Sequence, residues 1–98
     1  GGIVSSKLDT TAGFVKFSNG FTIQWGKTPS TQTSSVIEGR NNKFTLDLPI
    51  RYATPFISIA IDFGNGAVGV STTLTNTQVN AHANQTTLYW SYIAVGIA

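Results

Sequence analysis

The sequence predicts an all-β fold, in the form of a small antiparallel β-sandwich-like domain. Short runs rich in Val, Ile, Thr and aromatic residues are separated by Gly, Asn and Pro, and no window shows a helical period. Two of these runs are apolar on both faces. A chain of 98 residues is one domain with a modest core, burying only about 60 to 70% of its unfolded surface. We therefore expect other copies of the chain to cover part of the apolar surface of this domain.

The first clear element is a hairpin. Residues 15–18 and 21–25 flank Asn19-Gly20, a dipeptide that tolerates the positive φ angles of a two-residue type I′ turn. In the second strand Thr22 and Gln24 alternate with large apolar residues. We therefore expect the apolar face of this strand to be buried and the polar face to be wet.

A polar stretch and a second alternating strand follow. Residues 26–42 carry few apolar side chains, and structureless loops of this length are usually functional or held by a neighbour. The sequence leaves those two alternatives open. In residues 43–48, alternation places Phe44, Leu46 and Leu48 inward.

The later strands are the apolar ones. Residues 67–74 and 77–82 form two short strands, whereas residues 56–61 and 87–97 are apolar on both faces. A strand of that kind needs cover on both sides. Since no helix is predicted, the cover must be a second sheet or another copy of the chain, and these two strands are the ones we place between subunits.

Composition excludes several classes of protein. Only 10% of residues are charged, and the net charge of +2 arises from six basic residues scattered singly, so no stripe for a nucleic-acid backbone is present. The absence of cysteine excludes a disulfide framework and a thiolate nucleophile. No window approaches the roughly 18 apolar residues of a membrane span.

Three segments of the chain have a distinctive sequence, order and spacing. They are Gly-Phe-Val-Lys-Phe-Ser-Asn-Gly-Phe-Thr-Ile-Gln-Trp-Gly at 13–26, Leu-Pro-Ile-Arg-Tyr-Ala-Thr-Pro-Phe-Ile-Ser-Ile at 48–59, and Leu-Tyr-Trp-Ser-Tyr-Ile-Ala-Val-Gly at 88–96. Together they resemble the C-terminal domain of phage and prophage tail fibres. The resemblance covers residues 13–98. Residues 1–12 are then an irregular lead-in from the upstream fibre shaft, or a remnant of the way the chain was cut.

The resemblance implies a function as well as a fold. It implies a homotrimer at the distal end of a tail fibre on the virion, joined to the rest of the fibre. Such a tip is a receptor-binding domain that adheres reversibly to a bacterial surface glycan (lipopolysaccharide) or an outer-membrane protein, without catalysis or cofactor. Two alternatives stay open: a fragment of a capsule or O-antigen depolymerase, and a purely structural trimerisation cap.

No motif of binding residues can be carried over from the family, so the candidate site comes from polar loops. Arg51 and Tyr52 lie in a proline-flanked turn and could offer stacking together with charge-assisted hydrogen bonds to a glycan phosphate or carboxylate. The other polar candidates for receptor binding are Arg40, Asn42, Asn84 and Gln85.

Aromatic side chains are the second source of candidates, because a flat ring with a polar handle suits a sugar face. Trp25 and Trp90 lie on faces predicted to be inward, so we expect them in the core. That leaves Tyr89 and Tyr92, beside Tyr52, as candidates for stacking.

The sequence offers few residues that could form a catalytic site or a metal site. A glycosidase needs two carboxylates about 5 to 10 Å apart, and only Asp47 and Asp62 lie at strand positions. We expect both to be solvated surface groups. His82, the single histidine, has no serine or carboxylate partner nearby in sequence, so neither a catalytic triad nor a metal site is predicted.

Overall fold

The computed structural model describes residues 2–37, 41–64, 66 and 68–98. Within those residues ten strands form three antiparallel sheets. The strands are β1 (Ile3–Lys7), β2 (Ala12–Phe17), β3 (Phe21–Lys27), β4 (Gln32–Thr33), β5 (Asn42–Asp47), β6 (Thr54–Asp62), β7 (Ser71–Leu74), β8 (Gln78–Ala83), β9 (Thr87–Leu88) and β10 (Trp90–Ile97). None of the described residues belongs to a helix long and apolar enough to cross a membrane.

Two of the sheets enclose the core. The five-stranded sheet has the order β1-β2-β3-β10-β6 and the three-stranded sheet the order β5-β8-β7, while β4 and β9 form a separate pair. The three-stranded sheet contributes Phe44, Val79 and Ala81 to the core, and β10 contributes Trp90 and Tyr92. The all-β, antiparallel prediction is therefore confirmed. So is the prediction that Phe44 and Leu48 point inward, since both are buried.

The first hairpin forms with a loop one residue longer than predicted. The Gly20 amide donates to the Phe17 carbonyl over 2.9 Å, so Ser18 and Asn19 occupy the central positions of the turn. Gly20 follows with φ of +90°, a value that disfavours any side chain. A turn followed by a left-handed glycine is the usual three-residue hairpin loop. The prediction of a two-residue turn at Asn19-Gly20 is wrong.

Strand β3 is turned the opposite way from the prediction. Thr22 and Gln24 are fully buried, whereas Phe21, Ile23 and Trp25 are only partly covered. Burial of the polar residues is tolerated because each is hydrogen-bonded. The Gln24 amide donates to the Ile50 carbonyl over 3.0 Å and accepts from the Ile50 N–H over 2.9 Å.

The apolar residues of β3 continue across the outer face of the five-stranded sheet. Ile93 in β10 lies between Trp25 and Ile59, and Val95 lies between Ile23 and Ile57. We call this surface the isoleucine face; its most exposed members, Ile57, Ile59, Ile61 and Ile93, are each 58 to 65% exposed. The expectation that residues 56–61 are covered on both faces is therefore not met within one chain.

Two segments expected to be irregular contain strands. β1 pairs with β2 along the edge of the five-stranded sheet, so the lead-in is not irregular, although its residues are exposed. Within the polar stretch at 26–42, β4 pairs with β9, and Val36 forms a bridge to Lys43. Backbone pairing thus holds much of that stretch to the domain.

Candidate functional site

The turn at Arg51 and Tyr52 exposes only one of its two candidate residues. Arg51 is exposed, whereas Tyr52 is fully buried and donates its hydroxyl to the Thr22 carbonyl over 3.0 Å. Burial raises the pKa of Tyr52 to about 12. The expectation that the Tyr52 ring stacks on a receptor is wrong, because proline-flanked turns need not point their side chains outward and this ring completes the core.

Three other candidates converge at the turn between β8 and β9. Asn84 and Gln85 are exposed there, and the Asn42 side chain donates to the Gln85 carbonyl over 2.6 Å. Asn42 itself is buried, so it supports the turn and cannot reach a receptor directly. Arg40 lies outside the described residues.

The turn at Arg51 and Tyr52 and the turn that carries Asn84 and Gln85 lie at opposite ends of β8. Asn76, just before β8, exchanges hydrogen bonds with Tyr52: its side chain donates to the Tyr52 carbonyl over 2.9 Å, and its own carbonyl accepts the Tyr52 N–H over 2.7 Å. Asn84 follows the last residue of β8, and the six residues of that strand span about 20 Å. Arg51 and Gln85 therefore cannot contribute to one small site.

An open cleft of about 230 Å³ lies beside Gln85, and we call it the end cleft. Its walls come from the end of β6, several described residues shortly after that strand, Thr31 and the β8–β9 turn. The lining residues are Thr31, Asp62, Gly64, Gly66, Val68, Gln85, Thr87, Leu88 and Tyr89. Thr, Gln and Tyr side chains beside a carboxylate give this surface both donors and acceptors.

Asp62 is the only charged group among the described residues that line the end cleft. One carboxylate oxygen accepts the Gly64 N–H over 2.8 Å and the other accepts the Val68 N–H over 3.0 Å. These backbone hydrogen bonds, that from Val68 first, lower the pKa of the Asp62 carboxyl from its ordinary value. Each oxygen keeps acceptor capacity toward a ligand.

An aromatic pair stands at the same place. The rings of Phe63 and Tyr89 meet edge to face with centroids 4.2 Å apart, and the Phe63 N–H donates to the Tyr89 carbonyl over 3.0 Å. Of the three tyrosines predicted as stacking candidates, Tyr89 alone is not buried. Trp90 lies in the core as predicted, but Trp25 lies on the partly covered outer face.

The remaining titratable candidates lie elsewhere. Asp47 accepts a hydrogen bond from the Gln78 side chain over 3.1 Å and does not line the end cleft. His82 in β8 lies next to Thr73 in the neighbouring strand β7, with 3.4 Å between the His82 Nε2 and the Thr73 Oγ1 atoms. The sequence analysis did not predict the end cleft, although one signal was visible: an aspartate and an aromatic residue directly before the Gly-Asn-Gly sequence at 64–66.

The fold is shared with solved tail-fibre structures. The sequence matches no protein-family model and no curated protein sequence. Among solved structures, the chain is similar to the N-truncated R2-type pyocin tail fibre, with a TM-score of 0.69 and 18% identity over 98% of this chain. It is also similar to the C-terminal part of the R2 pyocin fibre of P. aeruginosa, with a TM-score of 0.67 and 17% identity over 94% of this chain.

These similarities concern a part of each fibre. The chain spans 39% of the first pyocin chain and 25% of the second. The resemblance to tail-fibre domains that the sequence predicts is thus confirmed at the level of the fold.

Proposed function

We propose that this chain is the receptor-binding tip of a bacteriophage-type tail fibre, which adheres reversibly to a bacterial surface glycan or outer-membrane protein without catalysing a reaction. The observation that carries the proposal is the fold, which nearly the whole chain shares with two pyocin tail-fibre structures. The proposed location is the distal end of the fibre on the particle, with the rest of the fibre as a partner.

The proposed assembly is a homotrimer joined through the isoleucine face. Soluble monomers rarely expose a contiguous apolar patch of more than a few hundred Å², and larger patches usually mark an interface. Ile59 and Ile93 are direct neighbours in register, and both are more than half exposed in one chain. Two further copies of the chain would bury that row and supply the cover that one small core lacks.

The proposed receptor contact is the end cleft. Strands β10 and β6 pair as far as Trp90 and Asp62, and the cleft lies just beyond that pair. The cleft therefore adjoins the edge of the isoleucine face and is not part of it. A trimer would present three such clefts, and weak single contacts would then strengthen one another because the first attachment raises the local concentration of the others.

Binding of the fluorescently labelled chain to a panel of bacterial strains, each paired with a strain that makes truncated lipopolysaccharide, tests the proposal. A receptor-binding tip labels intact cells of some strains and releases no sugar. A purely structural cap labels none of them, and a depolymerase shortens purified polysaccharide during incubation. Either of the last two results would overturn the proposed function.

A further inference from the structure

We propose that the end cleft selects sugars by charge: it takes a neutral or amino-bearing pyranoside and rejects one that carries a phosphate or carboxylate. This inference rests on the proposed function, because it names the chemical class of the surface group that the tip would hold. It differs from the sequence-based expectation, in which Arg51 and Tyr52 hold an anionic glycan.

The charge balance of the cleft supports this selectivity. Asp62 is partly exposed, and none of the described lining residues is Lys, Arg or His. A phosphate or carboxylate placed in the cleft would meet a like charge with no described cation to compensate it. An ammonium group would meet an opposite charge, and a neutral hydroxyl would meet a charged acceptor, which makes the stronger kind of hydrogen bond.

The carboxylate is also held in place before any ligand arrives. The Gly64 and Val68 amides each bind one of its oxygens, so the group is fixed at the end of β6. A carboxylate with both oxygens oriented can accept from two neighbouring hydroxyls of one ring. Little side-chain freedom is then lost on binding.

An apolar surface for the ring lies next to this acceptor. Tyr89 lines the cleft, and its ring is held by the edge contact with Phe63 at 4.2 Å. A pyranose has apolar C–H faces and hydroxyl edges, so it can lie on an aromatic ring while its hydroxyls reach polar groups at the rim. Thr31 and Thr87, whose side chains carry hydroxyl groups, also line the cleft.

The test is a titration of the ¹⁵N-labelled chain with four methyl glycosides: glucoside, 2-amino-2-deoxyglucoside, glucuronide and glucoside 6-phosphate. The expected result is shifts of the Gly64, Gly66 and Val68 amide signals with the first two and none with the last two. The amino sugar should bind about two- to fivefold more tightly than the neutral one at low salt, the size expected for an exposed ion pair, and the difference should shrink at high salt.

Two variants assign the selectivity to the cleft. Asp62→Asn should remove the advantage of the amino sugar, whereas Asp47→Asn removes the same charge from a carboxylate outside the cleft and should leave it unchanged. Gln85→Lys, which leaves Asp62 intact, should admit the glucuronide and the phosphate; it keeps the test decisive if Asp62→Asn disturbs its loop. Binding of the anionic glycosides to the unmodified chain, or equal effects of Asp47→Asn and Asp62→Asn, would overturn the inference.

Failure of this inference is distinguishable from failure of the proposed function. If the chain labels bacteria but shows no charge selection among the glycosides, the tip binds its receptor by other means and the inference alone is wrong. If the chain selects glycosides as expected but labels no strain, the cleft is a sugar site and the proposed adhesion is wrong.

Discussion

The indole N–H of Trp90 donates to the side-chain oxygen of Gln32 over 2.7 Å, which ties a surface segment to the centre of the core. The amide nitrogen of the same Gln32 side chain donates to the Thr45 carbonyl over 2.9 Å. One residue of the polar stretch at 26–42 therefore joins β10 to β5. The stretch at 26–42 is therefore partly structural and is not only an exposed loop.

We expect Trp90→Ala to unfold the domain or lower its melting temperature strongly. Trp90 is fully buried, and truncation of a buried large aromatic residue costs about 3 to 5 kcal/mol, a large part of the stability of a small domain. Gln32→Leu should cost less, about 1 to 3 kcal/mol, because it leaves the indole N–H unpaired. Thermal and denaturant unfolding measure both, with Thr73→Ala as an exposed control. An unchanged melting curve for Trp90→Ala would contradict this role.

We expect the chain to sediment as a trimer of about 31 kDa, three times the 10.4 kDa of one chain. Ile59→Lys should reduce that mass, because it places a charge on the isoleucine face opposite Ile93. Thr73→Lys, on the outer face of the other sheet, is the matched control and should leave the mass unchanged. Analytical ultracentrifugation at micromolar concentration decides, and a folded monomer of the unmodified chain would refute the assembly.

We expect the stability of the domain to fall as the pH rises above about 10. The pKa of Tyr52 is raised to about 12, so between these values the unfolded chain loses the phenol proton while the folded chain keeps it. The contribution of Tyr52 to the free energy of unfolding is fully present below pH 10. On the order of 2 kcal/mol of it is lost by pH 12. Denaturant unfolding from pH 8 to 11.5 measures it. Tyr52→Phe should show a shallower decline; an identical decline would assign the effect to other groups.

We expect Tyr89→Ser to weaken adhesion of the labelled chain to bacteria while the circular dichroism and the sedimentation mass stay unchanged. Tyr89 lines the end cleft and is only partly buried, so its loss removes a contact surface more than core packing. Arg51→Ala, about 20 Å away along β8, is the comparison. If Arg51→Ala weakened adhesion and Tyr89→Ser did not, the contact would lie at the other end of the domain.

The sequence predicted the strands better than it predicted which of their faces are buried. Alternation located β5 correctly and placed Trp90 in the core, but it did not predict that Tyr92 is buried beside it. It misplaced β3, whose buried Gln24 is satisfied by the Ile50 backbone. A pattern within one strand does not show a partner 26 residues away, nor whether an apolar face is covered by the same chain or by another.

The candidate site was predicted less well, for a similar reason. Gln85 and Tyr89 were named from the sequence and lie at one cleft, but Asp62 was considered only as a catalytic group. Tyr52 was taken for a surface residue because it follows a charged neighbour in a turn. Of the two alternatives that the sequence left open for residues 26–42, the hydrogen bond from Trp90 to Gln32 shows that part of this stretch is held by the core.

The paired hydrogen bonds between Gln24 and Ile50 have a mechanical consequence. A single bond is a pivot, whereas two bonds from one planar amide fix direction as well as distance, so the chain before the turn at Arg51 cannot rotate or slide along β3 without breaking both. The proposed receptor-binding tip would be pulled while it is bound. The Ile50 amide, although outside any strand, should therefore exchange its hydrogen as slowly as strand amides do, and Gln24→Leu should release it to exchange by local opening.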